Sequence, residues 1–466
     1  MEGSSLRVLG AAFATVPGAN PHSAAFMAMA SALRAEMDFV TVKPPNLAYQ
    51  GRLGEARLFR VPVQGTPAEQ RAGFARAVRR QVESEAYDVV HVRDPIAGVA
   101  VAEHKRAMGF RLLYEVGGFV DESEGPVITQ EWMASHGRCL ELADLILVSG
   151  DAAARALADQ GFAGKAAVVP PGVEVDTFDW WPSAPSETIR LLFLGSFASD
   201  REIPTLIAAI RAVHKQIPVR ALLAGERLPE RRARTRRLVE DFGVADLVDV
   251  RGEARATTVP RLIAACDIGV VTASSVPRFQ ELGGLPEPLL EFLACRRPIV
   301  VAAVPAISDV VRDEREGLLY HPGDDGSLAD AILTMAKDPQ LRERLVRDGY
   351  EQVRQRFSMG ARRRRIAEIY SMLAPGTQHY DAWRDAFESD AGTGPHSLPP
   401  SSSVSYALEE LQTTSGTDED TLIGEWAPST SVEPMDEIVR RSSRPPPSSS
   451  ERLRTSDTDP GAPGDP

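Results

Sequence analysis

Residues 280–309 read QELGGLPEPLLEFLACRRPIVVAAVPAISD, and their pattern sets the reading of everything around them. Gly283 and Gly284 stand just ahead of Pro286 and Pro288, and Leu289, Leu290, Phe292 and Leu293 then supply the apolar face of a short helix that Pro298 ends. Residues 299–303, IVVAA, follow as a short apolar run, the pattern of a strand buried on both faces of a parallel sheet. The segment is loop, helix, strand. A proline near the first helical position is pre-shaped for a helix start, where free backbone N–H groups and the helix dipole make an anion site. Glycines ahead of it let the backbone approach a ligand closely. Glu291 sits about one turn into the helix, where a carboxylate accepts two hydrogen bonds from a vicinal diol such as a ribose. An anion cradle, a diol acceptor and a buried strand together imply a nucleotide-type ligand.

Composition narrows the classes. With 466 residues, 43% hydrophobic and 25% charged, the chain is long enough for two sizeable cores, and its length suggests two or three domains. A formal net charge of −13 argues against wholesale nucleic-acid binding. Cys139, Cys266 and Cys295 lie in apolar segments without the spacing of a metal site or redox pair, and read as buried, reduced thiols of a cytoplasmic protein. Residues 6–14 are apolar but too short for a persuasive signal peptide, and read as a first strand. No run of about twenty apolar residues exists to span a membrane.

Outward from the opening stretch, the chain alternates strand and helix. Residues 7–14, 87–92 (YDVVHV), 111–116 (RLLYEV) and 144–149 (DLILVS) are strand candidates of a first series, residues 23–34 its first helix. Residues 191–195 (LLFLG), 219–225 (VRALLAG), 248–252 (VDVRG) and 266–271 (CDIGVV) belong to a second. Such alternation argues for parallel sheets with helices on both faces, and ligands of that arrangement lie at the carboxyl ends of the strands. Asp94, Glu115, Gly117, Gly118 and Ser149 fall at such ends.

Three further segments stand out. Arg231, Arg232, Arg234, Arg236 and Arg237 read as a solvated basic helix face. Arg71, Arg76, Arg79 and Arg80 beside Phe74 and Val78, and again Arg362, Arg363, Arg364 and Arg365, are each more often an exposed helix face; two such clusters raise a peripheral contact with acidic lipid at the inner face of the membrane. From about residue 390 the chain turns Ser/Pro-rich and aromatic-poor, as in PPSSS at 399–403 and PPPSSS at 445–450, and reads as a disordered tail over 390–466, either a docking segment for a protein partner or a tether.

The opening stretch also resembles the donor-site signature of the retaining glycosyltransferases of the two-Rossmann-domain, or GT-B, architecture, the large family-four, group 1 set. Their pattern is a glutamate, a Phe-Gly-Leu-like loop, a second glutamate eight positions on, and an Ala-Cys-Gly-x-Pro-Val-like turn into a strand. Glu291 matches the second glutamate, and Leu293, Ala294, Cys295, Arg297, Pro298, Ile299 and Val300 continue the match. Gly283 lies eight positions before Glu291, so Glu281, in Glu281-Leu282-Gly283-Gly284-Leu285, is the better fit to the first glutamate, with two extra residues between. Residues 168–178 are similar to the family's Pro-Asn-Gly-Val-Asp-x-x-x-Phe hinge, with Pro171 for Asn and Glu174 for Asp.

The resemblance implies an α/β fold of two Rossmann-like domains facing each other across a cleft: residues 1–180 on the acceptor side, a linker at 181–187, a nucleotide-sugar domain over 188–358, and helices over 359–389, the first crossing back to the N-terminal domain. It implies transfer of a sugar from a nucleoside diphosphate sugar to a saccharide or lipid-linked acceptor with retention, and no cofactor. Arg201 stands where the family has a diphosphate-gripping Lys, and Ser196 where it has an Arg. Arg201 and Glu281 are the catalytic candidates; Ser196, Glu226, Gly283, Gly284, Leu285 and Glu291 the donor-binding ones; Gly18, Asn20, His22 and Gly117 the acceptor-side ones. No Asp-x-Asp stands at a strand end to hold magnesium. Where many relatives read Glu-Val-His-Gly, this chain reads Glu115-Val116-Gly117-Gly118, without the histidine that lies beside the transferred sugar. An active retaining transferase leads; a catalytically silent binding or scaffold protein and a sugar-nucleotide epimerase or phosphorylase of similar fold are the alternatives.

Overall fold

The computed structural model describes residues 6–16, 25–26, 28–30, 36–178, 186–254 and 257–373. The apolar runs become two sheets. The first holds β1 (Arg7–Thr15), β2 (Glu36–Val42), β3 (Gln50–Leu53), β4 (Ala56–Val61), β5 (Val89–Val92), β6 (Arg111–Glu115), β7 (Leu145–Val148) and β8 (Ala166–Val168). Its order is β3-β4-β2-β1-β5-β6-β7-β8, parallel throughout except for the antiparallel β3–β4 pair. Residues 36–61, for which the sequence reading names no element, supply β2, β3 and β4.

The second sheet holds β9 (Ile189–Leu194), β10 (Val219–Ala224), β11 (Val248–Val250), β12 (Ile268–Val271), β13 (Ile299–Ala302) and β14 (Leu318–Tyr320), all parallel, in the order β11-β10-β9-β12-β13-β14. Every residue of β12 and β13 is buried, as a strand covered by helices on both faces requires. The chain leaves β9 toward β10 on one side and returns to β12 on the other, so the order reverses at the β9–β12 boundary. In sheets of this kind the crevice outside such a switch point is where ligands sit. In the first sheet the corresponding boundary lies between β1 and β5.

The last described helix, Met359–Leu373, sends Ile366, Ile369 and Tyr370 into the first domain's core beside Val8, Phe39, Leu113 and Leu147. Its arginines do not form the single exposed face that their run suggests. Arg362 is buried on Glu115 and on the Val169 and Pro170 carbonyls, Arg363 pairs with Glu174, and Arg365 with Glu368. In the other cluster Arg71 is buried between Asp94 and Glu124, and Phe74 and Val78 belong to the core, leaving only Arg76, Arg79 and Arg80 outward. Among the described residues no helix is long and apolar enough to cross a membrane. Residues 390–466 lie outside the described part.

Candidate functional site

The second domain's switch point is built by glycine backbone first. Gly195 ends β9 at φ 135° and Gly225 ends β10 at φ 110°, both in the left-handed half of φ space. A Cβ at Gly225 would stand 2.7 Å from the Gly195 nitrogen, so the two loops close backbone to backbone in a way only glycine permits. Beyond Gly195 the chain passes half-buried Ser196 and makes a tight turn at Ser199–Arg201, followed by Glu202 at φ 48°. Glu202 holds that conformation by accepting from Tyr320 Oη at 3.2 Å and Gly323 N at 3.0 Å.

This turn drives Arg201 inward. Its residue is 5% exposed, Nε donates to the Thr272 carbonyl at 2.9 Å, and the Thr272 hydroxyl donates back to the Arg201 carbonyl. Nη2 is buried without any hydrogen-bond partner. Burial lowers the guanidinium to about 10, still charged at neutral pH. A buried, charged donor with a free N–H is expensive unless an anion completes it.

The opening stretch forms the opposite wall. Its helix is Pro288–Ala294, with Pro at the first position and Glu287 just before it. Glu291 lies on this helix and no hydrogen bond reaches its carboxyl from the described residues; burial, with the charge of Glu287, raises it to about 8. Glu287 is exposed to solvent at the helix start, and the protein packed around it raises its carboxyl to about 7 against the pull of Arg93, Arg278 and Arg227. Ahead of them Gly283, at φ 72°, accepts at its carbonyl from Ser149 Oγ at the end of β7, and buried Gly284 donates to the Arg278 carbonyl at 2.7 Å. Leu285 is half-buried beside them.

Other candidates are placed differently. Glu281, at the end of the short helix Pro277–Gln280, is exposed, and among the described residues no hydrogen bond or ion pair joins it to Arg201 or Glu291. Glu226 is buried and consumed by structure, accepting from Phe197 N at 2.5 Å and Leu228 N at 2.8 Å, which braces the Ser196 loop. Gly117 is buried at the end of β6, and a Cβ there would lie 3.2 Å from Arg93 Nη2. Arg93 thus holds the space next to Gly117. Gly18, Asn20 and His22 fall outside the described residues.

The two domains meet around this cleft. Arg231 Nη2 donates to Asp121 Oδ1 at 2.5 Å and to Glu122 Oε1 at 3.2 Å, Ser199 Oγ donates to Glu122, and Asp309 Oδ2 accepts from Ala152 N at 2.7 Å. Arg232 also turns back onto the Glu226 and Arg227 carbonyls. The helix Pro229–Asp241 is therefore a bridge on one side, not the uniformly solvated face its charge pattern suggests. Arg93, Arg278 and Glu287 escaped the sequence reading; only Glu287, at a helix start inside the opening stretch, had a local signal.

A switch-point crevice with the buried, partly unpaired Arg201 and the carboxyl of Glu291 agrees with the family comparisons. The description "Glycosyl transferases group 1" matches residues 188–338, and "Glycosyl transferase 4-like domain" matches residues 18–172. The chain belongs to the group 1 glycosyl transferases. A curated relative, the phosphatidyl-myo-inositol mannosyltransferase of Mycobacterium leprae, is 26% identical over 334 residues, 68% of this chain and 83% of the relative. Sucrose-phosphate synthase of Thermosynechococcus elongatus superimposes with a TM-score of 0.67 at 20% identity, over 79% of this chain and 99% of its own. Anabaena HepE, solved with UDP and glucose, does so with a TM-score of 0.64 at 18% identity, over 79% of this chain and 100% of its own. The likeness to the two solved structures establishes the GT-B fold for this group 1 transferase.

Proposed function

We propose that this protein moves a sugar from a nucleoside diphosphate sugar to a hydroxyl of a saccharide or lipid-linked acceptor, with the anomeric configuration retained, in synthesis of a polysaccharide or glycolipid. The single observation that supports it most is the unpartnered buried Nη2 of Arg201 at the switch point. As the bond to the sugar breaks, negative charge grows on the departing diphosphate, and a fixed cation in a water-poor crevice stabilises that charge. Arg201 is fixed by Thr272 before the ligand arrives. The Glu291 carboxyl, free of protein donors, takes the ribose diol. Backbone at Gly283 to Leu285 lines the approach, with Glu281 at the rim for a hydroxyl of the transferred sugar. The mannosyltransferase relative supports a lipid-linked acceptor, and the HepE complex supports a uridine donor.

A second reading, ligand sensing without turnover, is favoured by Gly117, beside which Arg93 stands. Both are tested by release of nucleoside diphosphate from uridine, guanosine and adenosine diphosphate sugars, with chelator present and with saccharide and lipid-linked acceptors. The expected outcome is turnover with one donor, falling about 100-fold or more in Arg201→Ala. Binding of a donor without turnover under all conditions selects the sensor; no binding overturns both.

A further inference from the structure

Ser196 leaves the loop after β9 with Arg201 as its buried cation, yet a nucleoside diphosphate presents two anionic groups. The strand order brings a second arginine to the same crevice from across the switch point. Arg278 follows β12 on the short helix Pro277–Gln280, and its loop is laced to the Arg201 turn at several points. Ser274 N donates to the Asp200 carbonyl at 2.9 Å, Ser274 Oγ to the same oxygen at 3.2 Å, and Arg278 Nη1 to Asp200 Oδ2 at 3.2 Å. Arg201 Nε in turn reaches Thr272, between β12 and that loop.

The Arg278 guanidinium is held, not waving. It lies 5.3 Å from the ring centroid of Phe119, which belongs to the first domain, and 5.3 Å from that of Phe279. Its Nε is buried with no hydrogen-bond partner, as is Arg201 Nη2. The buried Arg201 and the partly exposed Arg278, 38% exposed at its side chain and paired through Nη1 with Asp200, each keep one unpartnered N–H donor on the two sides of one switch point, and guanidinium matches phosphate geometry. The two cations also act on each other: Arg278 contributes to lowering Arg201, opposed by Asp200.

We propose that Arg278 is the second diphosphate-binding cation of this transferase, supplying from the β12 loop the charge that Ser196 withholds from the β9 loop. The inference rests on the nucleoside diphosphate sugar reading. It is tested by calorimetric titration of the full chain and of Arg278→Gln, which removes the charge but keeps a polar side chain, with UDP, GDP, ADP and the matching nucleosides. The wild type is expected to bind one of the three diphosphates, and Arg278→Gln to bind it at least tenfold more weakly while binding the nucleoside as before. Ser196→Arg added to Arg278→Gln is expected to recover most of the loss. An Arg278→Gln protein equal to wild type, one that loses diphosphate and nucleoside alike, or no recovery with arginine at 196 overturns the assignment. Absence of any diphosphate binding by the wild type overturns the underlying donor reading instead.

Discussion

Arg362 Nη2 donates to Glu115 Oε1 at 2.6 Å, joining residues 247 positions apart. The same carboxylate lies 3.1 Å from His91 Nε2 and 3.5 Å from Arg93 Nη2, while His91 Nδ1 meets Tyr370 Oη at 2.8 Å. Burial pushes Glu115 up, but Arg362 and Arg93 outweigh it and hold the carboxyl well below its ordinary range. The last helix is thus fastened by charge to the end of β6, at the floor of the cleft. Arg362→Ala leaves that carboxylate buried beside a smaller positive field, and is expected to cost about 3–5 kcal/mol of stability. Urea unfolding monitored by circular dichroism checks it, and Arg362→Ala with Glu115→Gln is expected to be less damaging than the single change.

Gly225 is the backbone keystone of the crevice. With φ at 110° and Gly195 N 2.7 Å from where a Cβ would stand, Gly225→Ala combines backbone strain with a clash no side-chain rotation relieves. The expected loss is about 2–4 kcal/mol, with diphosphate binding abolished in whatever protein remains folded. Gly54, also at positive φ but with nothing within 4 Å of its Cβ, provides the control, and Gly54→Ala is expected to cost about 1 kcal/mol with binding intact.

Gly117→His does not restore a relative's site. A side chain there starts 3.2 Å from Arg93 Nη2, a tight contact that presses on a buried guanidinium beside Glu115. A loss of about 1–3 kcal/mol is expected, with turnover lowered, not raised. A thermal shift measurement beside the donor assay checks both, and a gain in turnover at unchanged melting temperature contradicts the packing argument.

Glu287 and Glu291 make stability depend on pH. Their carboxyls stand at about 7 and about 8 in the folded protein against 4.5 when unperturbed, and the charge of Glu287 adds to the rise of Glu291. Between about 4.5 and about 8 the folded chain holds more protons than the unfolded one, so this contribution is full below the unfolded value and is lost as pH rises through the folded values. Glu291→Gln is expected to flatten the fall in melting temperature across pH 5–8.5, melting on the order of 2 °C higher than wild type at pH 8.5 and no higher at pH 5. Scanning fluorimetry at constant ionic strength measures it.

Several features were legible from local pattern. Apolar runs such as IVVAA at 299–303 announce buried parallel strands because covering a strand on both faces removes the polar alternation that would otherwise show. Residues 36–61 gave no such signal, since β2 and β4 mix charged Glu36, Asp38, Arg57 and Arg60 into the strands, where ion pairs such as Arg57 with Asp38 satisfy them. The Arg231 helix and the Arg362 cluster misled for a similar reason: charge in a sequence does not say whether a partner waits across the cleft.

What the sequence determined by itself is the fold class, the family and the loop, helix and strand of residues 280–309, because glycine, proline and apolar spacing act on neighbours a few residues apart. What only the tertiary structure decided is which charges meet: Arg201 with the loop of Arg278, Arg93 with the place beside Gly117, Arg362 with Glu115. Those distances follow from strand order and helix return, and a charge becomes a site or a brace according to the burial and partners that the order assigns to it.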